Sequence, residues 1–311
     1  MTPVTGIGRQ APSMTPALED VIAAIPEWRG HPIEVTPISG GITNRAACVR
    51  VAGKPYFVSI PGAHSDLLSI PRADEVENSR RAAETGVSPR ILHHLPATGV
   101  LVVEWLEGRT LGVPDMQDPE MPERLATIAR RLHSARPFVN DFDLFRLTES
   151  YSGALAKHSL AAPAGFPGYA RLLTEIEAAV RRHPEPHRPC SNDFCPQNLI
   201  DDNGRLWVVD FGYSGNNDPC SELGNAACEA DYQTHHYEAL CKAYFGEASD
   251  RRLARMQLYA VMADVAWSLW SVIQENLSDL DFDFKTYGAE RWQRGCRRLD
   301  SDDLRRWIQS A

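Results

Sequence analysis

The sequence predicts an α+β fold in two lobes: a small antiparallel β-sheet lobe with one helix, then a larger and mainly helical lobe. Three observations carry this. Residues 33–60 form short alternating runs divided by glycine turns. Residues 72–84 have helical spacing and lie between that group and two further strand-like runs. Beyond Gly108 the apolar positions recur mostly at helical intervals.

Taken in order, residues 1–16 are rich in Pro and Thr, carry Arg9 and lack an apolar core. They read as a disordered lead-in and not as a secretion signal. Leu18, Ile22 and Ile25 share a helical face, which predicts a helix from Leu18 to Trp28. Strands follow at Ile33–Ile38, Ala46–Val51 and Tyr56–Ile60, with turns at Ser39-Gly40-Gly41 and Gly53-Lys54-Pro55. The helix Arg72–Glu84 stops at Gly86, and strands are expected at Arg90–His94 and Val100–Leu106. Glu107-Gly108-Arg109 then breaks the pattern, so the lobes divide as 17–107 and 108–311.

In the second lobe Met121, Leu125, Ile128 and Leu132 form an amphipathic stripe. Tyr169–Arg182 is a further helix, closed by a Pro-rich loop from His183 to Pro189. Three more helices are expected near 222–245, 250–275 and 286–298. No apolar run approaches the roughly 20 residues of a membrane span.

Of the 311 residues, 43% are hydrophobic and 23% charged, as in ordinary globular proteins. The net charge of −9 argues against nucleic acid or an anionic membrane as the main partner and suits a cationic small molecule. The seven cysteines form no C-x-x-C pair, so neither a disulfide framework nor a structural zinc site is expected, and a reducing cytoplasm fits. Cys190 and Cys195 read as small semi-buried residues, and His235-His236 as a surface pair with no third ligand nearby.

The chemistry concentrates in residues 190–212. Asp193, Asn198 five positions later, and Asp210 at the end of a short apolar strand form the pattern of a kinase-type catalytic loop and metal loop. In that pattern Asp193 faces the substrate hydroxyl as base or orienting group. Asn198 supplies a neutral oxygen and Asp210 an anionic one, a set suited to magnesium. Upstream, Gly40 and Gly41 would let backbone approach phosphate oxygens, with Thr43 and Asn44 as polar contacts; alone they would be a tight hairpin. Glu75 on the first-lobe helix is placed to pair with a cation on the strand Tyr56–Ile60. The expected position holds Ser59, leaving Arg45 or Lys54 to reach in. Trp267 and Trp270 share a helix face and read either as core packing or as a cage for a quaternary ammonium.

With these residues in place, the sequence resembles the choline/ethanolamine kinase family from about Ser39 to Arg294. That family lies within the aminoglycoside-phosphotransferase-like kinases of protein-kinase-like fold. The resemblance rests on Gly40-Gly41-Ile42-Thr43-Asn44, Arg72-x-x-Glu75-x-x-Asn78, Glu104-Trp105-Leu106-Glu107-Gly108 and Leu132-His133. It continues through Asn192-Asp193 to Asn198, Asp210 to Pro219 and Trp267-Ser268-Leu269-Trp270, while residues 278–284 look like bacterial members.

The resemblance implies ATP and Mg²⁺ as cofactors and a small cationic amino-alcohol, choline or ethanolamine, as acceptor. It makes Asp193 catalytic and Asn198 and Asp210 the metal ligands. Gly40, Gly41, Thr43, Asn44, Ser59, Glu75 and Glu104 fall on the nucleotide side. Tyr213, Glu229, Tyr232, Trp267 and Trp270 fall on the amine side. No nucleic acid or membrane partner is implied, and room is left for a homodimer. Three positions depart from the family: Ser59 for Lys or Arg, Ser191 for His, and Gly212 for Glu. Two other readings stay open, a pseudokinase that binds nucleotide, amine or protein without transfer, and a related kinase for another small hydroxylated acceptor.

Overall fold

The computed structural model describes residues 16–38, 41–62, 68 and 70–311. Most of the expected lead-in, and Gly40, lie outside the described residues.

The first half of the fold is α1 (Leu18–Ala24), β1 (Ile33–Ile38), β2 (Asn44–Val51), β3 (Lys54–Pro61), α2 (Arg72–Glu84), β4 (Ile91–Leu95) and β5 (Val100–Glu104). The strands form one sheet in the order β1-β2-β3-β5-β4, antiparallel throughout. Because side chains alternate across a strand, the register sorts this sheet into two faces. Ala47, Val49 and Val51, Val58 and Ile60, and Val100 and Val102 pack on Val21, Ile25 and Trp28 as a small core. The opposite face carries Ala46, Ser59 and Leu101, paired side by side.

Then come β6 (Arg109–Thr110), α3 (Val113–Met116), α4 (Met121–Leu132), α5 (Leu144–Lys157), α6 (Ala170–Arg182) and β7 (Arg188–Cys190). The short hairpin β8 (Leu199–Asp202) and β9 (Arg205–Val208) is followed by β10 (Gly215–Asn217). The chain ends in α7 (Pro219–Glu229), α8 (Thr234–Phe245), α9 (Asp250–Leu277), α10 (Phe284–Leu299) and α11 (Asp302–Ser310). A large core of α4, α5, α7, α9 and their neighbours also takes in Ala82 of α2 and Val87 just beyond it.

The strand and α2 expectations hold within a residue or two. The single helix expected near 222–245 is instead two: α7 closes at Ala230, Asp231 turns left-handed at φ 53°, and Gln233 with His236 caps α8. Helix α5 was not anticipated, although Asp143 caps it by accepting from the amides of Phe145 (2.9 Å) and Arg146 (3.3 Å). Helix α11 was also missed. Helix α9 is the only element among the described residues long and apolar enough to cross a membrane, and 89% of that window is buried inside the protein. It is the central core helix. Gly288 of α10 packs against it so closely that an added Cβ would lie 1.7 Å from Ser271 Oγ.

Candidate active site

The loop between β7 and β8 is built to hold Asp193. Asn192 adopts φ 60°, and its amide nitrogen donates to the carbonyls of Tyr213 (3.0 Å) and Gly215 (3.3 Å). Its oxygen accepts from Asn217 Nδ2 at 2.8 Å. Both hydrogen-bonding ends of one buried side chain thus tie this loop to β10. Asn198 Nδ2 donates to Asp193 Oδ2 (2.8 Å) and to the Asp193 carbonyl (3.1 Å). That use of the nitrogen leaves the Asn198 side-chain oxygen, Oδ1, for a cation.

Asp210 is brought alongside by the β8–β9 hairpin, where Val209 N donates to the Asn198 carbonyl at 3.0 Å. It is exposed, has φ 62°, and accepts from Gly212 N through Oδ1 at 3.1 Å, so Oδ2 is available. A neutral amide oxygen and an exposed carboxylate oxygen on adjoining loops fit a hard cation such as magnesium. The three sequence-predicted residues therefore converge.

Desolvation, and the negative charges of Asp210 and Glu229, push the Asp193 carboxyl up to about 7. Hydrogen bonds from Asn198 and Cys195 oppose that rise. Cys195 is half-buried beside Asp193, and Cys190 is fully buried. Beneath the loop, Glu222 accepts from Ser191 N at 3.3 Å and faces His133 Nε2 at 3.4 Å, with Cys190 Sγ 3.5 Å from the same nitrogen. This buried carboxylate anchors the loop from below, where Ser191 itself offers only its hydroxyl, at 3.4 Å from Asp193 N.

The sheet side approaches from above. Gly41 sits so close to the chain that a Cβ would lie 2.4 Å from the Asn44 carbonyl, so this turn needs glycine. Thr43 and Asn44 follow, half-buried. Glu75 is buried and accepts from Arg72 Nη1 at 2.8 Å; Arg72 Nη2 donates to Asn44 Oδ1 at 2.9 Å. Burial raises the Glu75 carboxyl, Arg72 lowers it, and the charge of Asp210 raises it again, so this cluster lies within the field of Asp210. Asn78 of α2 donates to Asn140 Oδ1 (2.8 Å) and Ser214 Oγ (3.0 Å), fastening the helix to the segment after Asp210.

On the far side, Tyr213, Trp267 and Trp270 are buried and pack into the large helical core. Tyr213 lies edge-on to Trp267 at 5.1 Å, and Tyr151 donates to the Tyr213 hydroxyl at 3.1 Å. Trp267 Nε1 donates to Asn225 Oδ1 at 3.0 Å. Trp270 meets Phe284 (5.7 Å) and Tyr287 (5.8 Å) edge-on. Burial chiefly pushes the Tyr213 and Tyr287 hydroxyls above the usual tyrosine range, suppressing their ionisation, and both also feel Asp193, which puts these rings on the Asp193 side. Glu229 is buried and already ion-paired with Arg291 and with Arg294, the latter at 3.1 Å. Arg294 also pairs with Asp264 at 2.6 Å, and the Arg291 guanidinium lies 3.3 Å over the Tyr287 ring.

Two expected residues are not brought in. The Tyr232 ring stacks on His236 at 4.7 Å, and the charge it feels is Asp118. Glu104 stands opposite Tyr56, on the sheet face away from Ser59, and its carboxylate is engaged by Arg90. His235 and His236 are neighbours, 3.8 Å apart, with His235 exposed. Sequence reasoning missed Tyr287, Arg291 and Arg294, although the aromatic run Phe282, Phe284, Tyr287 after the tryptophan pair pointed there.

An acid, an amide and a second acid converging beneath a five-stranded antiparallel sheet, with a helical half around them, define a small-molecule kinase of protein-kinase-like fold. The chain belongs to the choline/ethanolamine kinase family, whose profile matches residues 35–294. It is similar to a choline/ethanolamine kinase family protein from Mesorhizobium loti, at 32% identity and TM-score 0.80, over 94% of this chain and 96% of that one. The choline kinase LicA from Streptococcus pneumoniae matches at 24% identity and TM-score 0.77, over 90% of this chain and 98% of LicA. LicA in complex with AMP matches at 23% identity and TM-score 0.75, over 90% and 96%. Nothing in these relationships supports a binding protein without transfer.

Proposed function

We propose that the protein moves the γ-phosphate of ATP to the hydroxyl of a small amine such as choline or ethanolamine. The observation that carries this is the convergence of Asp193, Asn198 and Asp210, with aromatic rings on the Asp193 side. Asp193 would hold the acceptor hydroxyl in line and take its proton, and a carboxyl raised to about 7 is a stronger base than an ordinary carboxylate. Phosphoryl transfer has a loose transition state, so positioning and charge neutralisation supply most of the rate. Asn198 and Asp210 would hold magnesium, which neutralises charge on the phosphates. Residues 17–107 would contribute the nucleotide side and 108–311 the acceptor side, and seven free cysteines suit a cytoplasmic protein.

For the amine, the buried Tyr213, Trp267 and Trp270 would offer π faces to a cation that cannot donate a hydrogen bond, and Tyr287 would do so only on the side that Arg291 leaves uncovered. Glu229, paired with two arginines, contributes less attraction than a lone carboxylate, so the rings and Asp193 carry more of the binding. The test is Mg-ATP-dependent ADP release with choline, ethanolamine and an uncharged alcohol of similar size. Release stimulated by an amine and not by the uncharged alcohol supports the reading. Stimulation by none would refute it for these acceptors, and equal stimulation by all would remove the amine site.

A further inference from the structure

We propose that Arg72 supplies the cation that grips the nucleotide phosphates in this chain, the part played by a strand lysine in protein kinases. The proposal rests on the kinase reading above. In kinases that cation projects from the third strand and is steadied by an acid on the neighbouring helix. Here the strand position is the half-buried Ser59, which has no charge to offer.

The register decides which other side chains share its face. Ser59 pairs with Ala46 and Leu101; Asn44, paired with Pro61, is the next residue along the same face. Arg45, opposite Ile60, belongs to the other face, and its guanidinium pairs with Asp279. Lys54 is also on the other face, with Nζ 5.4 Å over the Tyr56 ring. Both candidate substitutes from the strands are thus turned away.

Arg72, the first residue of α2, arrives at the Ser59 face from outside the sheet. It donates to Asn44 Oδ1 (2.9 Å) and to Glu75 Oε2 (2.8 Å). Its side chain is 19% exposed, and its buried Nε has no hydrogen-bond partner among the described residues. The helix acid therefore has its cation, reached along the helix instead of across from the strand. A guanidinium is always charged and carries five donors in a planar fork, a shape matched to phosphate oxygens. The neutral Asn44 oxygen is a weaker acceptor than an anionic phosphate oxygen, which would displace it. Arg72 begins α2, and Glu75, which it pairs with at 2.8 Å, feels the charge of Asp210, so the pair faces the side of the candidate metal loop.

The experiment is calorimetric binding of Mg-ATP and of adenosine to wild type, Arg72→Gln and Arg72→Lys. Arg72→Gln is expected to weaken Mg-ATP about 10–100-fold while adenosine stays within about twofold, and Arg72→Lys to retain most of the affinity. Adding Ser59→Lys to Arg72→Gln is expected to restore part of the lost Mg-ATP affinity. The proposal is overturned if Arg72→Gln binds Mg-ATP as wild type does. It is equally overturned if Mg-ATP and adenosine weaken together, since that would mark a purely structural residue. A wild type that binds no Mg-ATP would instead overturn the kinase reading itself, and this inference with it.

Discussion

The two sides of the cleft are assembled in opposite ways. Asp193, Asn198 and Asp210 lie within one short stretch of chain, closed by a hairpin whose own backbone bonds set their spacing. The sheet side gathers Asn44 from β2, Ser59 from β3, and Arg72 and Glu75 from α2. In the local segment the three chemical positions keep their residue types, because each has a single geometric role, while the departures there, Ser191 and Gly212, fall on the supporting positions beside them. Chemistry pooled from several elements can move a charge from one backbone position to another and keep it in the same space.

The largest expected effect breaks the local side. Asp193→Asn is expected to lower kcat by about 10²–10⁴-fold, measured at saturating substrates, while Mg-ATP affinity changes little. Unchanged turnover would remove Asp193 from the chemistry. Asp210→Asn comes next, at about 10²–10³-fold in turnover, with a raised magnesium requirement in a titration of the metal. If added magnesium has the same midpoint in mutant and wild type, Asp210 is not a ligand.

A smaller effect sharpens the comparison at the aromatic cluster. Trp270→Leu keeps apolar bulk but removes the indole face, and is expected to raise the KM for choline about 2–30-fold with kcat nearly retained. An equal rise in the KM for ATP would show a general packing defect instead.

The smallest effect concerns stability and pH. Asp193 has its carboxyl raised from 3.8 to about 7 in the folded chain, so the folded state holds a proton that the unfolded state releases first. Its contribution is neutral below the unfolded value and turns destabilising as pH rises from about 4 through 7. In metal-free protein, Asp193→Asn should therefore raise Tm at pH 8 by about 2–4 °C and leave it nearly unchanged at pH 4. Thermal melts at the two pH values check this; an equal shift at both would place the effect elsewhere.

The same contrast explains how much could be read in advance. Strand alternation and glycine turns gave the small sheet to within a residue or two, since both signals are local. The loop 190–212 was legible because its residue types and spacing are tied to one geometry. The sequence predicts one helix near 222–245 because the break rests on a single left-handed Asp231 with no Gly or Pro beside it, and a lone Asp is a weak turn signal. Helix α5 escaped notice despite Asp143 before a periodic run. Arg72 and Glu75 stand three apart on a helix, the spacing of a side-chain pair. Their spacing does not show that they reach the strand's face, because only the fold brings a helix residue there. Arg291 and Arg294 against Glu229 belong to the same class, joining α10 to α7 across the sequence.

The most direct test is the mass of the acceptor after incubation with Mg-ATP, for wild type and for Asp193→Asn. Phosphoryl transfer by the converging residues predicts an acceptor heavier by one phosphoryl group with wild type and unmodified acceptor with the mutant. ADP formed without any phosphorylated amine, or product formed equally by both proteins, would contradict it.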